Sequence, residues 1–64
     1  MEQIDGDVIE HSDTHLVFKG IGTDLVMTYK LAEPIKKPLP PQPRICRLIC
    51  EDGKVVRLEA FYLG

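Results

Sequence analysis

His11-Ser12-Asp13-Thr14-His15 sets two imidazoles and a carboxylate around one short turn. His, Asp and His form a usable ligand set for zinc or another divalent ion. A hairpin would bring His11 and His15 near-opposite each other. A structural site needs a fourth ligand, however, and the sequence offers none. The expectation is therefore a polar turn with no metal and no cofactor, with His11, Asp13 and His15 as the weak candidate set. Ser12 is the single serine, flanked by His11 and Asp13. Adjacent residues at a strand end point apart, so the three make no triad. There is no nucleophile elbow, no glycine-rich phosphate loop and no carboxylate pair in an apolar setting. So short a chain also lacks the depth for a water-excluded pocket. The reading is a protein that is not an enzyme.

Binding chemistry is the next possibility. Single-strand nucleic-acid binders place exposed aromatics in a basic groove. The aromatics here are Phe18, Tyr29, Phe61 and Tyr62, and Tyr29-Lys30 is the adjacent aromatic–basic pair of the first half. Arg47 and Arg57 add basic groups to the second half. A net charge of −2 and a pI near 5.5 argue against a strong phosphate footprint, so binding by these residues should be weak and salt-sensitive. The charge is uneven. Residues 1–29 carry a net −5 and residues 30–64 a net +3. Such a dipole suits head-to-tail contacts or a basic face for an anionic partner, and it is also what an ordinary solvated surface produces.

Cys46 and Cys50 lie four apart in Ile45-Cys46-Arg47-Leu48-Ile49-Cys50. Within one strand their Cα atoms stand about 13 Å apart, at ~3.3 Å per residue. That is beyond disulfide reach. The expectation is two reduced thiols acting as small core hydrophobes.

All five prolines fall between Pro34 and Pro43. Proline has no N–H and a fixed φ, so this run is neither helix interior nor central strand. Lys37-Pro38-Leu39-Pro40-Pro41-Gln42-Pro43 also has the form of an SH3 ligand, a basic residue followed by spaced prolines. A stiff crossover between two β units accounts for the same residues.

The elements that must carry these groups read as β on both sides of the prolines. At the C-terminal side, Glu51-Asp52-Gly53-Lys54 lies between two apolar runs, and Asp-Gly is a strong hairpin signal. A two-residue loop would pair Glu51 with Lys54. A three-residue loop with Gly53 left-handed in a bulge would pair Cys50 with Lys54. The second places Cys46, Leu48 and Cys50 on one face with Val56, Leu58, Ala60 and Tyr62, and burial favours it. Its weakness is Arg47 opposite Arg57. The other face then carries Ile45, Ile49, Val55 and Phe61 beside Arg47, Arg57 and Glu59. That is too apolar for plain solvent exposure, and it marks Ile45, Ile49, Val55 and Phe61 as a self-association patch.

At the N-terminal side, 5–11 and 15–19 read as short strands, with turns at 12–14 and 20–24. Leu25 to Leu31 alternates, with Leu25, Met27, Tyr29 and Leu31 pointing one way. A helix capped by Thr23 competes there, but strand spacing fits better. The predicted fold class is all-β: a three-strand meander and a C-terminal hairpin joined by a Pro-rich crossover. Five short strands in one small domain, 1–64, suggest a five-stranded barrel or rolled antiparallel sheet of SH3, Sm or OB-like type. A hydrophobic fraction of 44% is too high for a disordered chain of this low charge. No apolar run approaches the ~20 residues of a membrane span. The acidic start Met1-Glu2-Gln3-Ile4-Asp5 lacks the pattern of a signal peptide, so a cytoplasmic protein with no membrane partner is expected.

Residues 4–31 resemble the bacterial Sm-like RNA chaperones. Ile4-Asp5-Gly6-Asp7-Val8-Ile9-Glu10 resembles the family's strand with its glycine and following apolar residue. Asp13 and Leu16-Val17-Phe18-Lys19 resemble its aspartate turn and the strand after it. Val26-Met27-Thr28-Tyr29-Lys30 resembles the second motif, which ends in Tyr-Lys-His. Leu31 stands where the family has its RNA-contacting histidine. The family's N-terminal helix has no counterpart here, and the hairpin of this chain has no counterpart there. The resemblance implies base and phosphate contacts at Tyr29 and Lys30.

Two functional expectations follow. The first is a non-enzymatic interaction module that binds another macromolecule, an unknown protein partner, and forms a homo-oligomer. The second is a single-stranded RNA or DNA binder of Sm-like or OB-like form, using Tyr29, Lys30, Arg47 and Arg57.

Overall fold

The computed structural model describes Met1–Gly64 and contains five strands and no helix. They are β1 (Glu2–His11), β2 (His15–Gly20), β3 (Val26–Leu31), β4 (Arg44–Glu51) and β5 (Lys54–Tyr62). The expected all-β class is borne out, and so is each expected strand. No helix is long and apolar enough to cross a membrane.

The strands share one sheet in the order β1-β2-β3-β5-β4, and β4 returns to β1. Every pairing is antiparallel except β3 with β5, which is parallel. The long β1 makes closure possible. Its first half pairs with β4 and its second half with β2, and Gly6 belongs to both ladders, opposite Cys46 and Gly20. A Cβ at Gly6 would collide with the Lys19 carbonyl oxygen and lie 2.8 Å from the Phe18 ring. Only glycine lets β1 bend this close to its neighbour.

Alternation in β2 and β4 sends Leu16, Phe18, Cys46, Leu48 and Cys50 inward, where they join Val8 and Val55 in the core. Both cysteines are free and buried, as their spacing predicted. β3 contributes no fully buried side chain. Its Tyr29 and Leu31 pack on the core from the side.

The β4–β5 hairpin corrects the expected register. Glu51 pairs with Lys54, so the loop has two residues, with Asp52 at φ 53° and Gly53 at φ 77°. Two left-handed residues make a turn whose twist matches that of the flanking strands. Gly53 is left-handed as predicted, but the bulge lies further along. Cys50 pairs with Val55 and Ile49 with Arg57, which leaves Val56 as the extra residue. The bulge places Arg47 opposite Glu59 instead of Arg57, replacing like charges with unlike ones. It also exchanges the two valines: Val55 is 4% exposed and Val56 48%.

The proline run forms neither helix nor strand between Ala32 and Pro43. It crosses from β3 to β4 as a strap, and its Ile35 and Leu39 dock on the core. Arg44 ties down the end of the strap. Its Nη1 donates to Pro40 O at 2.9 Å, its Nη2 to Val8 O at 3.1 Å and its Nε to Asp7 Oδ1 at 2.7 Å.

Candidate binding surface

The residues of the turn at 12–14 do not converge on a metal ion. No three His, Cys, Asp or Glu side chains in the chain do. A bulge in β1 at Ile9 shifts the register, so His11 pairs with Leu16, a core position, while His15 pairs with Lys30 on the outer face. The two imidazoles therefore sit at positions facing opposite sides of the sheet. Ser12 Oγ accepts from the N–H groups of Thr14 and His15, and His15 Nδ1 lies 2.8 Å from Thr14 Oγ1. The set His11, Asp13 and His15 is an ordinary hydrogen-bonded turn.

The proposed nucleic-acid contacts are also divided. Arg47 and Arg57 share the outer face of β4 and β5, and each has an acidic partner. Arg47 Nε meets Asp5 at 3.0 Å and Arg57 Nε meets Glu59 at 3.1 Å. Tyr29 leans on the core and makes no free stacking platform. Burial first, then the neighbouring Cys50 and Glu2, pushes its hydroxyl above the usual phenol range. Lys30 alone of the four is exposed and outside every ion pair.

The expected apolar patch on β4 and β5 is smaller than the sequence implied. Val55 belongs to the core and drops out of it. Ile45 and Ile49 are half-buried, and Phe61 is exposed. The charged series Asp5, Arg47, Glu59 and Arg57 runs across the same face between Ile45 and Ile49.

β3 presents features that the sequence did not signal. Leu31 N donates to Thr14 O, so odd-numbered residues of β3 direct their backbone groups toward β2. Even-numbered residues direct theirs the other way, and Ala32 N reaches Val55 O of β5 on that side. The β3–β5 ladder consists of Lys30–Lys54 and Leu31–Val55, and β5 begins only at Lys54. Val26 and Thr28 thus present N–H and C=O groups along an edge where no strand lies. The same stretch is apolar and outside: Leu25, Val26 and Met27 are 69%, 52% and 53% exposed.

A second feature adjoins this edge. Lys30 stands opposite His15 on β2 and opposite Lys54 on β5, and Lys54 faces Glu51 on β4, so three basic residues form one row across the sheet with a carboxylate at its far end. The ion pairs of the chain involve Lys19, Arg44, Arg47 and Arg57, and neither Lys30 nor Lys54. Like charges directly opposite each other destabilise a sheet.

Two clefts flank the barrel. One, of about 290 Å³, lies between the strap and β5, lined by Leu31, Ile35, Leu39, Leu58 and Ala60 among others. The other, of about 440 Å³, lies between the β2–β3 turn and the start of β4. Its central carboxylate, Asp7, is already occupied. It accepts from Arg44 Nε at 2.7 Å, Gln42 Nε2 at 2.8 Å and Val8 N at 2.8 Å. Burial works to raise the Asp7 carboxyl, but these three donors outweigh it and hold it below the usual carboxylate value. Burial pushes both thiols above the ordinary cysteine value, which disfavours a reactive thiolate. Neither a family model, nor a curated protein, nor a solved structure matches the chain.

Proposed function

We propose that this chain is a non-enzymatic binding module, a small barrel of OB-like form that engages another macromolecule through its β3 side. The observation that carries the reading is the open β3 edge. Val26 and Thr28 offer unpaired backbone groups, and Leu25, Val26 and Met27 surround them with exposed apolar side chains. Such an edge is a template for pairing with another chain. The OB-like assignment is supported by the five-stranded order and by the parallel β3–β5 contact, which breaks a simple meander into a Greek-key form.

The test is site-specific photo-crosslinking in cells, with a benzophenone side chain at position 27 and, as control, at exposed Lys36 on the strap. Position 27 should give discrete macromolecular adducts that Val26→Lys abolishes. Adducts of equal yield from both positions would contradict a binding site at β3.

A second reading, single-stranded RNA or DNA binding, is favoured by the row His15, Lys30 and Lys54. An anionic backbone lying across the row would relieve its like-charge contacts. On single strands each phosphate contact contributes a slope of about −0.7 in log K against log salt. Titration with oligo-dT and oligo-rU should therefore give a slope of about −1 to −2, lost in Lys30→Ala/Lys54→Ala. Binding that this double variant leaves unchanged would remove the reading.

A further inference from the structure

We infer that the partner of the β3 edge is a second copy of this chain, paired antiparallel through β3 about a two-fold axis at Met27. The inference rests on the binding role of β3 proposed above and names its occupant. Three observations select both the partner and the register.

The free backbone groups come first. Only Val26 and Thr28 carry unpartnered groups on this edge, because Lys30 is committed to β5. In an antiparallel pair centred on Met27, Val26 of each copy faces Thr28 of the other. Those are the hydrogen-bonded pairs, each exchanging both N–H···O bonds. The register uses every free group and asks nothing of Lys30. Centring the axis on Thr28 would set Val26 against Lys30, whose backbone is taken.

The side chains agree. Met27 lies at the axis, opposite its own copy in a non-hydrogen-bonded pair, where side chains approach most closely. Met27 pairs with buried Phe18 on β2 yet is itself 53% exposed. A second Met27 covers it, and a flexible thioether packs well against its own copy.

Charge supplies the third observation. The same register ends the new pairing at Thr28 and brings Asp24 of one copy to the end of the other's free edge, next to the Lys30–Lys54 pair, twice by symmetry. Asp24 is fully exposed, with only a 3.7 Å contact to Lys19. Lys30 stands between His15 and Lys54 with no carboxylate of its own. Each copy thus brings an under-used carboxylate toward the other's Lys30, which has basic neighbours on both sides, while Lys54 already faces Glu51. The surface is self-complementary, as a two-fold interface requires.

Sedimentation of the full chain at tens of micromolar should give twice the chain mass. Thr28→Pro removes an N–H that points away from β2, so the barrel keeps its ladder while the edge loses a donor. This variant should sediment as a monomer with an unchanged β circular-dichroism spectrum. Should it fail to fold, cysteine placement gives an independent answer. Opposed Met27 Cα atoms would stand about 4.5 Å apart, within disulfide range. Met27→Cys incubated with oxidised glutathione should form a disulfide-linked dimer, and Leu25→Cys, no less exposed, should not. A wild-type chain monomeric at 500 μM, or equal crosslinking of both cysteine variants, would overturn the second copy as partner. Heterologous adducts from position 27 in a monomeric protein would also overturn it, while leaving β3 as the binding site.

Discussion

Asp7 and Arg44 are 37 positions apart in sequence, and their side chains meet at 2.7 Å. The contact fastens the end of the proline strap to the middle of β1. Gln42 donates to the second oxygen of the same carboxylate, and Arg44 reaches on to Pro40 O and Val8 O. The strap, β1 and β4 are thereby locked at one point, and Ile35 and Leu39 are held against the core.

Removing the Asp7 charge should therefore loosen the strap. Arg44 is only 15% exposed and would lose its acidic partner. Asp7→Asn should cost about 1–3 kcal/mol, the range for a buried polar group losing a charged hydrogen bond. Urea unfolding followed by circular dichroism measures it. A midpoint equal to wild type would mean that Arg44 finds another acceptor.

The same carboxyl sets an acid limit. Its folded value lies below the ordinary 3.8, so the unfolded chain takes up the proton first as pH falls. The Asp7 contribution is fully present above pH 3.8 and is lost as pH drops below that toward the folded value. Thermal midpoints should fall in that window for wild type and fall less for Asp7→Asn. Parallel pH curves for the two proteins would assign the acid sensitivity to other carboxyls.

Gly6 tolerates no side chain. Its hypothetical Cβ meets backbone, the Lys19 carbonyl oxygen, and the Phe18 ring, which itself has no room to move in the core. Gly6→Ala should cost more than about 3 kcal/mol, at the upper end for point changes. Loss of the cooperative thermal transition, or a midpoint lowered by many degrees, is the expected result.

The two valines after the hairpin turn should behave oppositely. Val55→Ala empties a core site and should cost about 2 kcal/mol. Val56→Ala alters an exposed bulge residue and should stay within about 0.5 kcal/mol. A reversed order, with Val56→Ala the costlier change, would restore the three-residue loop.

Cys46 and Cys50 should react slowly with a maleimide in native buffer and rapidly in denaturant. Both are buried, and burial holds both thiols in the protonated form. Fast native labelling at either position would show that the β4 face opens readily.

Local pattern determined the strands of this protein. Period-two alternation placed Leu16 and Phe18 on one face of β2, and Cys46, Leu48 and Cys50 on one face of β4. Asp52-Gly53 announced the turn, and five clustered prolines announced the strap. These features depend on residues within a few positions of one another, so the chain displays them without being folded. Tertiary structure alone decided the rest. The bulges at Ile9 and Val56 shift register by one residue, and each is chosen by the neighbouring strand. The first parts His11 from His15; the second moves Val55 into the core and pairs Arg47 with Glu59. The basic row His15, Lys30 and Lys54 unites three strands, and no spacing in the sequence relates them. The open edge of β3 is decided last of all. It exists because β5 runs parallel to β3 and begins only at Lys54, beside Lys30, so that the hairpin turn and no strand precedes it on the side of Val26 and Thr28.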